Sequence, residues 1–414
     1  MEKSDAPSPS ESSLRICHVI TRMIVGGAQE NTLLTIRGLL ERGHHVVLVT
    51  GPTRGPEGKL LEQESIPGLE VVQVPALQRA MNPWKDFLAY RHLRRFMKRN
   101  DFDVVHTHSS KAGILGRLAA HAAQVPVIVH TVHGQPFHAY ETRWRNWLYI
   151  KCERFAARVS TRIFAVAQAM IEQCVQARIA PRHKYRLVYS GMRLEPFLSA
   201  SADNTLREHL GIPPEAVVVG KIARLFDLKG HDYLIRAAPE IVRACPQAHF
   251  LLVGDGTRRE ELSCWIRRLG LEEHFTFAGL VSPEDIPRYT ALMDMLVHFS
   301  LREGLPRTVV QALASGVPAV GFNLDGTPEI IRDGETGFLI EPEDVGGIRD
   351  AVLALLHDPQ RRQCMGRAGR DLVQKRFDWC VMVQEIEKMY YSAFKAERDS
   401  PPDPPEGGAA TQNG

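Results

Sequence analysis

The chain has 414 residues, 44% of them hydrophobic, and a formal net charge of +3. This length favours two domains, and the composition excludes a chain that is disordered throughout. Residues 1–200 hold 27 Lys and Arg against 16 Asp and Glu (+11), whereas residues 201–414 hold 24 against 32 (−8), so the N-terminal half either meets an anionic partner or carries an ordinary solvated basic surface.

The cysteines and the chain ends bear on the cellular setting. Seven scattered cysteines form no C-x-x-C pair, which is typical of reduced thiols and not of a disulfide framework or a zinc site. The opening MEKSDAPSPSESS lacks the apolar segment of a signal peptide, and no apolar run approaches the ~18 residues of a membrane-spanning helix. We expect a cytoplasmic protein with disordered ends at residues 1–13 and 399–414.

Short apolar runs alternate with helix-length segments through the first half of the chain. The runs are rich in β-branched residues, and this alternation predicts βαβ units and a parallel sheet that is buried on both faces. The predicted strands are 15–21, 44–50, 69–75, 103–108, 125–133, 162–167 and 185–191.

The same alternation starts again in the second half, with predicted strands at 217–225, 249–256, 275–280, 295–300, 317–322 and 337–340. The segment between the two sets is rich in turn residues and has no strong period, so we place the domain boundary near 195–215. The fold class is therefore α/β, with two doubly wound, Rossmann-like domains facing a cleft. Ligands in such sheets bind beyond the carboxyl ends of the strands.

Two turns of the first domain are candidates for ligand contacts. Gly26 and Gly27 follow the first strand, where backbone can approach a ligand and a helix offers free N–H groups, although a plain strand-to-helix turn fits equally. His133 follows the fifth strand and is placed to face the cleft. For His106 and His108 we keep the alternative of hydrogen-bonded strand-end residues, and we predict no metal because H-x-H and H-x-x-H lack structural zinc spacing.

Arg224 and Lys229 are the strongest candidates of the second domain. Arg224 ends a predicted strand, and Lys229 lies in the turn before the next helix. A planar guanidinium and a compact ammonium near a helix N-terminus suit a pyrophosphate. An unrelated pair of surface cations would look the same in isolation, but the position at a strand's carboxyl end favours a function.

The stretch SLREGLPRTVVQALASG predicts a strand end, a turn and a helix. The amides of Gly304 and Leu305 can hold a phosphate, and Glu303 can accept hydrogen bonds from sugar hydroxyls. Eight helical positions bring Gln311 back to within about 80° of Glu303, so Gln311 is a second candidate, with a buried structural amide as its alternative. A weaker turn candidate follows at Thr327 and Glu329.

Taken in chain order, these motifs resemble the family-4 retaining glycosyltransferases of the GT-B fold (glycosyl transferases group 1). The motifs are the G-G turn, H-G, R-x4-K, E-G-x-P and G-x-P-E-x-x-x-D-G, and the resemblance covers roughly residues 14–395. It implies an acceptor-binding domain at 14–195, a nucleotide-sugar-binding domain at 196–375 and a C-terminal helix at 376–398 that packs back on the first domain.

The resemblance also implies a role for each matching residue. His133 contacts the donor sugar, Arg224 and Lys229 bind the pyrophosphate and stabilise the leaving nucleotide, and Glu303 binds sugar hydroxyls. The remaining positions implied to bind the nucleotide sugar are Gly26, Gly27, Gly304, Leu305, Gln311, Thr327 and Glu329.

This chain departs from the family pattern at Gln311, where the family has a glutamate that contacts the ribose. A carboxylate accepts from both ribose hydroxyls, whereas an amide offers one acceptor and one donor. We expect a working site whose nucleotide affinity is weaker by ~1–2 kcal/mol.

The activity implied is transfer of a sugar, with retained configuration, from a UDP-linked hexose or N-acetylhexosamine to a glycan or lipid-linked acceptor. No metal cofactor and no nucleic-acid partner are implied. We interpret Asp101-Phe102-Asp103, which resembles a D-x-D metal motif, as a coincidence because it precedes a strand away from Arg224 and Lys229.

Two basic, aromatic segments, 82–100 and 141–162, suit an anionic membrane surface on the cytoplasmic side. The alternative is that their apolar faces only pack on the sheet. Three other functions stay open: a nucleotide-sugar epimerase of the same architecture, a catalytically silent sugar-binding scaffold, and a dinucleotide-dependent oxidoreductase. The last lacks the G-x-G-x-x-G spacing after the first strand.

Overall fold

The computed structural model describes residues 13–53, 60–63, 66–138 and 140–399. The disordered ends predicted at 1–13 and 399–414 lie outside these residues except for Ser13 and Asp399. Within the described part of the chain, every helix is too short or too polar to span a bilayer.

The first half of the chain forms a seven-stranded sheet in which all neighbouring strands are parallel. Its strands are β1 (Arg15–Ile20), β2 (His45–Thr50), β3 (Glu70–Gln73), β4 (Val104–His108), β5 (Val127–Val132), β6 (Arg162–Ala165) and β7 (Tyr185–Leu187). They lie in the order β3-β2-β1-β4-β5-β6-β7, so the winding direction reverses between β1 and β4.

The second half forms a six-stranded parallel sheet in the order β10-β9-β8-β11-β12-β13, which reverses between β8 and β11. Its strands are β8 (Val217–Ile222), β9 (Ala248–Val253), β10 (Phe275–Gly279), β11 (Met295–His298), β12 (Ala319–Phe322) and β13 (Gly337–Ile340). Every predicted run contains a strand, and the predicted fold class of two doubly wound α/β domains is confirmed.

Helices cover both faces of each sheet. In the first half they are α1 (Gly27–Glu41), α2 (Leu60–Gln63), α3 (Pro83–Asn100), α4 (Ser110–Ala122), α5 (Arg143–Arg158), α6 (Gln168–Gln176), α7 (Glu195–Leu198) and α8 (Asn204–His209). In the second half they are α9 (His231–Ala244), α10 (Arg259–Arg268), α11 (Ile286–Thr290), α12 (Arg307–Ala314), α13 (Val345–Leu356), α14 (Pro359–Arg376) and α15 (Trp379–Asp399).

The last helix returns to the first sheet. A side chain on Gly38 of α1 would stand 2.7 Å from Val383 of α15, so glycine permits the close approach of these two helices. At the far end of the contact, Tyr390 is fully buried and its hydroxyl lies 2.5 Å from Nδ1 of His106 on β4. The C-terminal helix thus packs on the domain that the first half of the chain builds.

An apolar cluster also joins the two sheets. It extends from Ile163 and Met170 of the first domain to Val309 and Leu313 on α12 of the second. Burial of this shared surface holds the carboxyl ends of both sheets face to face, because it removes apolar area of both domains from water. The cleft between them contains the candidate site.

Candidate functional site

A cleft of about 330 Å³ lies between the two domains, beyond the carboxyl ends of their strands. The chain reaches it just after β8 and β11, the strands on either side of the reversal point, where open α/β sheets bind ligands. The predicted residues that line it are Gly27, His133, Arg224, Lys229, Glu303, Gly304 and Leu305.

Lys229 and Glu303 form an ion pair in this cleft. The Lys229 ammonium donates to Oε1 of Glu303 at 2.5 Å, and each side chain is about one-quarter exposed (23% and 25%). Burial by itself raises the pKa of Glu303, but the Lys229 and His298 charges outweigh it and the net pKa is lowered. Glu303 is therefore ionised near neutral pH.

The turn that carries Glu303 is held from both sides. Its backbone N–H donates to Oδ2 of Asp325 at 2.9 Å, which fixes the turn to the next loop of the same domain. On the other side, a Cβ at Gly304 would stand 2.6 Å from the carbonyl oxygen of His133. Only glycine allows this approach, so the E-G turn of one domain touches the H-G turn of the other.

His133 ends a chain of hydrogen-bonded histidines inside the first sheet. Its Nε2 lies 3.0 Å from Nδ1 of His108, whose Nε2 lies 2.9 Å from Nδ1 of the buried His18. Burial and the nearby Arg307 guanidinium lower the pKa of His133 to about 3. His133 is thus a neutral hydrogen-bonding group at pH 7, and not a cation.

His106 and His108 are core residues. His106 bonds to Tyr390 and, through Nε2, to Oγ1 of Thr131 at 2.6 Å. Among the described residues, His18, His106 and His108 have ligand atoms within 4.8 Å of one another, as a metal site requires, but each offers nitrogen atoms to these hydrogen bonds. The structure therefore shows the hydrogen-bonded alternative for His106 and His108.

Four predicted residues lie outside the described lining of the cleft, namely Gly26, Gln311, Thr327 and Glu329. Gly26 is the residue before α1, and Thr327 is buried. The carboxylate of Glu329 accepts from the backbone N–H groups of Gln168 and Ala169, at 2.8 and 3.0 Å. In this structure Glu329 therefore caps α6 of the first domain, where its charge complements the helix N-terminus, and its assignment to the nucleotide sugar stays a prediction.

Gln311, which is not among the lining residues, lies at the margin of the cleft. It is half-buried on α12, one helical turn after Thr308, which does line the cleft. Its assignment to the ribose stays a prediction.

Arg307 is a cleft residue that the sequence patterns did not single out. Its guanidinium donates to Oε2 of Glu30 on α1 at 2.6 Å, which makes an ion pair between the two domains. Its Cδ would stand 2.7 Å from a Cβ at Gly27, so Gly27 makes room for this arginine. The sequence feature that could have drawn attention to Arg307 is its position at the first residue of a helix, where the helix dipole disfavours positive charge.

The D-x-D-like acids serve the fold. Oδ2 of Asp103 accepts from the backbone N–H of Arg15 at 2.7 Å, and Asp101 ends α3 with a left-handed backbone (φ 44°).

Comparison with known proteins identifies the family. Residues 26–191 match the model of the glycosyl transferase 4-like domain, and residues 202–372 match that of glycosyl transferases group 1. The UDP-Gal:α-D-GlcNAc-diphosphoundecaprenol α-1,3-galactosyltransferase of Escherichia coli is 29% identical over 385 residues, which are 92% of this chain and 97% of that protein. A GDP-mannose-dependent α-(1-6)-phosphatidylinositol monomannoside mannosyltransferase of Mycolicibacterium smegmatis is 28% identical over 368 residues, 85% of this chain and 92% of that protein.

Solved structures agree. Anabaena Alr3699/HepE in complex with UDP-glucose superposes with a TM-score of 0.76 at 25% identity, covering 92% of this chain and 100% of that one. Sucrose-phosphate synthase from Thermosynechococcus elongatus superposes with a TM-score of 0.79 at 20% identity, with 92% and 100% covered, and this likeness concerns the fold. The chain belongs to the family-4 glycosyltransferases of the GT-B fold, and nucleotide sugars are its donor substrates.

Proposed function

We propose that this glycosyltransferase transfers a hexose or N-acetylhexosamine from UDP to a lipid-linked saccharide, with retention of anomeric configuration. The observation that carries the proposal is the convergence of Arg224, Lys229 and Glu303 on one cleft, opposite the neutral His133. Two cations suit the diphosphate of the donor, and a carboxylate with a neutral imidazole suits the hydroxyls of a sugar. The base and sugar follow two similar proteins, whose names include UDP-Gal and UDP-glucose.

In the proposed reaction the bond between the anomeric carbon and the β-phosphate oxygen breaks, and a bond to the acceptor oxygen forms. The electron pair goes to the diphosphate, whose growing charge Arg224 and Lys229 stabilise. The acceptor's proton passes to a phosphate oxygen or to water. These cations neutralise the leaving group without a metal cofactor.

Retention is what the family resemblance implies, and the scarcity of nucleophiles bears on how it would be achieved. Among the described residues that line the cleft, Glu303 is the only carboxylate, and it is paired with Lys229. A covalent glycosyl-enzyme would need a free carboxylate at the anomeric carbon. We therefore propose attack by the acceptor on the face from which the diphosphate leaves.

The acceptor proposal is supported by an exposed aromatic surface on α3 and α5. Trp84, Trp144 and Trp147 are 70%, 60% and 62% exposed, which is rare for tryptophan unless it meets a partner. The Lys151 ammonium lies 5.7 Å from the ring centre of Trp147, and the Arg145 guanidinium lies 5.3 Å from the ring centre of Trp144. Tryptophan among cations suits the interface of an anionic membrane, which we propose to be the cytoplasmic leaflet.

The donor proposal is tested by calorimetric titration with UDP and GDP, followed by assays with labelled nucleotide sugars and a lipid-linked saccharide. We expect UDP to bind more tightly, transfer to persist in EDTA, and the product to keep the α configuration by NMR. Formation of an epimerised nucleotide sugar without transfer would favour the epimerase, and absence of any turnover with all donors would favour the silent scaffold.

The membrane proposal is tested by co-sedimentation with vesicles that contain an anionic phospholipid. We expect binding at low salt that falls as salt screens the basic residues. Replacing Trp144 and Trp147 together by serine should weaken binding at least tenfold, and it leaves the buried α5 residues Glu153, Ala156 and Ala157 unchanged. Failure of the unaltered protein to sediment with anionic vesicles at low salt would contradict the proposal.

A further inference from the structure

A buried lysine lies directly behind the donor site. Lys221 is on β8, three residues before Arg224, and only 1% of its surface is exposed. Its ammonium lies 5.5 Å from the ring centre of Phe299, and among the described residues Nζ has no hydrogen-bond partner. A charged amine without a partner in such a place is costly, so Lys221 requires an explanation.

Among the described residues, the titratable groups that face Lys221 offer it no unpaired counter-charge. From the α9 side these are Lys229, His231 and Asp232, and from the β11 side they are Glu303 and His298. Glu303, one of the two carboxylates that face Lys221, is already paired with Lys229.

The second carboxylate is occupied as well. Arg258 binds both oxygens of Asp232, at 2.8 and 2.9 Å. Burial, and then the Lys229 ammonium, lower the pKa of Lys221 to about 7. Near and above neutral pH, much of Lys221 is therefore a neutral amine in the empty site.

We propose that Lys221 is a proton-linked part of the donor site, which takes up a proton from solvent at Nζ when a nucleoside diphosphate binds. The inference rests on the proposed diphosphate site at Arg224 and Lys229. A diphosphate at these residues brings negative charge to a cluster that has a surplus of cations, and that charge favours the ammonium form of Lys221. The Nζ lone pair accepts the proton, and no other bond changes.

The coupling predicts a pH dependence with a definite sign. Since the complex binds more protons than its separate parts, UDP affinity falls as the pH rises above about 7, by at most tenfold per pH unit for one proton. The terminal phosphate of UDP does not contribute at pH 8, because its last proton is lost near pH 6. His231 and His298, with pKa values lowered to about 3 and about 4, are too far from pH 8 to contribute.

Calorimetry of UDP binding at pH 8.0 in two buffers of different ionisation enthalpy measures the proton directly. We expect the full-length protein to take up roughly half a proton or more per UDP bound. Lys221→Met, of similar shape, should take up none, and Lys221→Arg should also take up none because arginine stays charged. The matched control, Lys388→Met on the exposed face of α15, should behave as the unaltered protein.

The outcomes separate the two proposals. If UDP does not bind the unaltered protein, the donor assignment is wrong. If UDP binds and the heat does not depend on the buffer, the proton coupling is wrong, whatever the variants do. Uptake that persists in Lys221→Met or Lys221→Arg would assign the proton to another group.

Discussion

The two walls of the cleft use different chemistry. The first domain presents His133, the end of a chain of neutral histidines that runs through His108 to His18. The second domain presents Arg224 and the Lys229–Glu303 pair, all charged. Fixed charge thus lies on the wall proposed to hold the diphosphate, and uncharged hydrogen-bonding groups lie on the wall proposed to meet the acceptor.

Burial explains the difference. His18 and His108 are on the central strands β1 and β4, where burial disfavours the imidazolium, and burial lowers the pKa of His18 to about 3. Arg224 and Lys229 lie beyond the end of β8, where the cleft admits solvent and an ion pair is tolerated. Four experiments test this difference between the two walls.

The largest effect is expected on the charged wall. Arg224→Met should lower kcat by about 10²–10³-fold, because it removes a donor aimed at the charge of the leaving group. Steady-state kinetics with the donor identified by the binding assays measures it. The control is Arg243→Met at the exposed end of α9. A loss below threefold for Arg224→Met would contradict the division of roles between the walls.

The buried, neutral histidines of the first domain should make the stability of the protein depend on pH. Because the pKa of His18 is about 3 in the folded state and about 6.5 when unfolded, the unfolded state binds more protons between these values, and stability falls as the pH drops below about 6.5. For His18 alone the loss at pH 5 is about 2 kcal/mol. Urea unfolding at pH 7, 6 and 5 measures the slope, and a flat profile would mean that these histidines are not held neutral.

Gln311→Glu tests whether the side chain at the margin of the cleft contacts the ribose. If Gln311 contacts the ribose, a carboxylate should tighten UDP binding by ~1–2 kcal/mol, which is roughly 5–30-fold. Calorimetry of UDP binding measures the change, with thermal unfolding as a control for altered stability. Unchanged affinity would show that Gln311 is a structural amide on α12.

Glu329→Gln distinguishes a domain contact from a ligand. Loss of the charge at the N-terminus of α6 should lower the free energy of unfolding by about 1 kcal/mol. The affinity for UDP should stay the same within threefold. A larger loss of affinity with unchanged stability would support the nucleotide-sugar-binding role that the family resemblance implied for Glu329.

Local chemistry along the chain explains why much of the fold and part of the candidate site could be predicted from the sequence. The β-branched runs at 15–21 and 217–225, repeated between helix-length segments, predict buried parallel strands, and parallel sheets place their ligand sites at strand ends. Arg224 lies at the end of the second of these runs and was therefore expected near the cleft. Glu329 shows the limit, because the amides that it caps belong to a helix some 160 residues earlier in the chain.

The amino-acid sequence was enough to predict the two α/β domains and the strand ends at which His133, Arg224 and Glu303 stand, because hydrophobic period and turn chemistry are properties of neighbouring residues. The three-dimensional structure was needed to show that Arg307 reaches across the cleft to Glu30, that Glu329 caps α6, and that Lys221 is buried with no hydrogen-bond partner among the described residues. Those outcomes depend on contacts between the two domains, or on the packing of one strand beneath a helix, and no short stretch of sequence contains both members of such a contact.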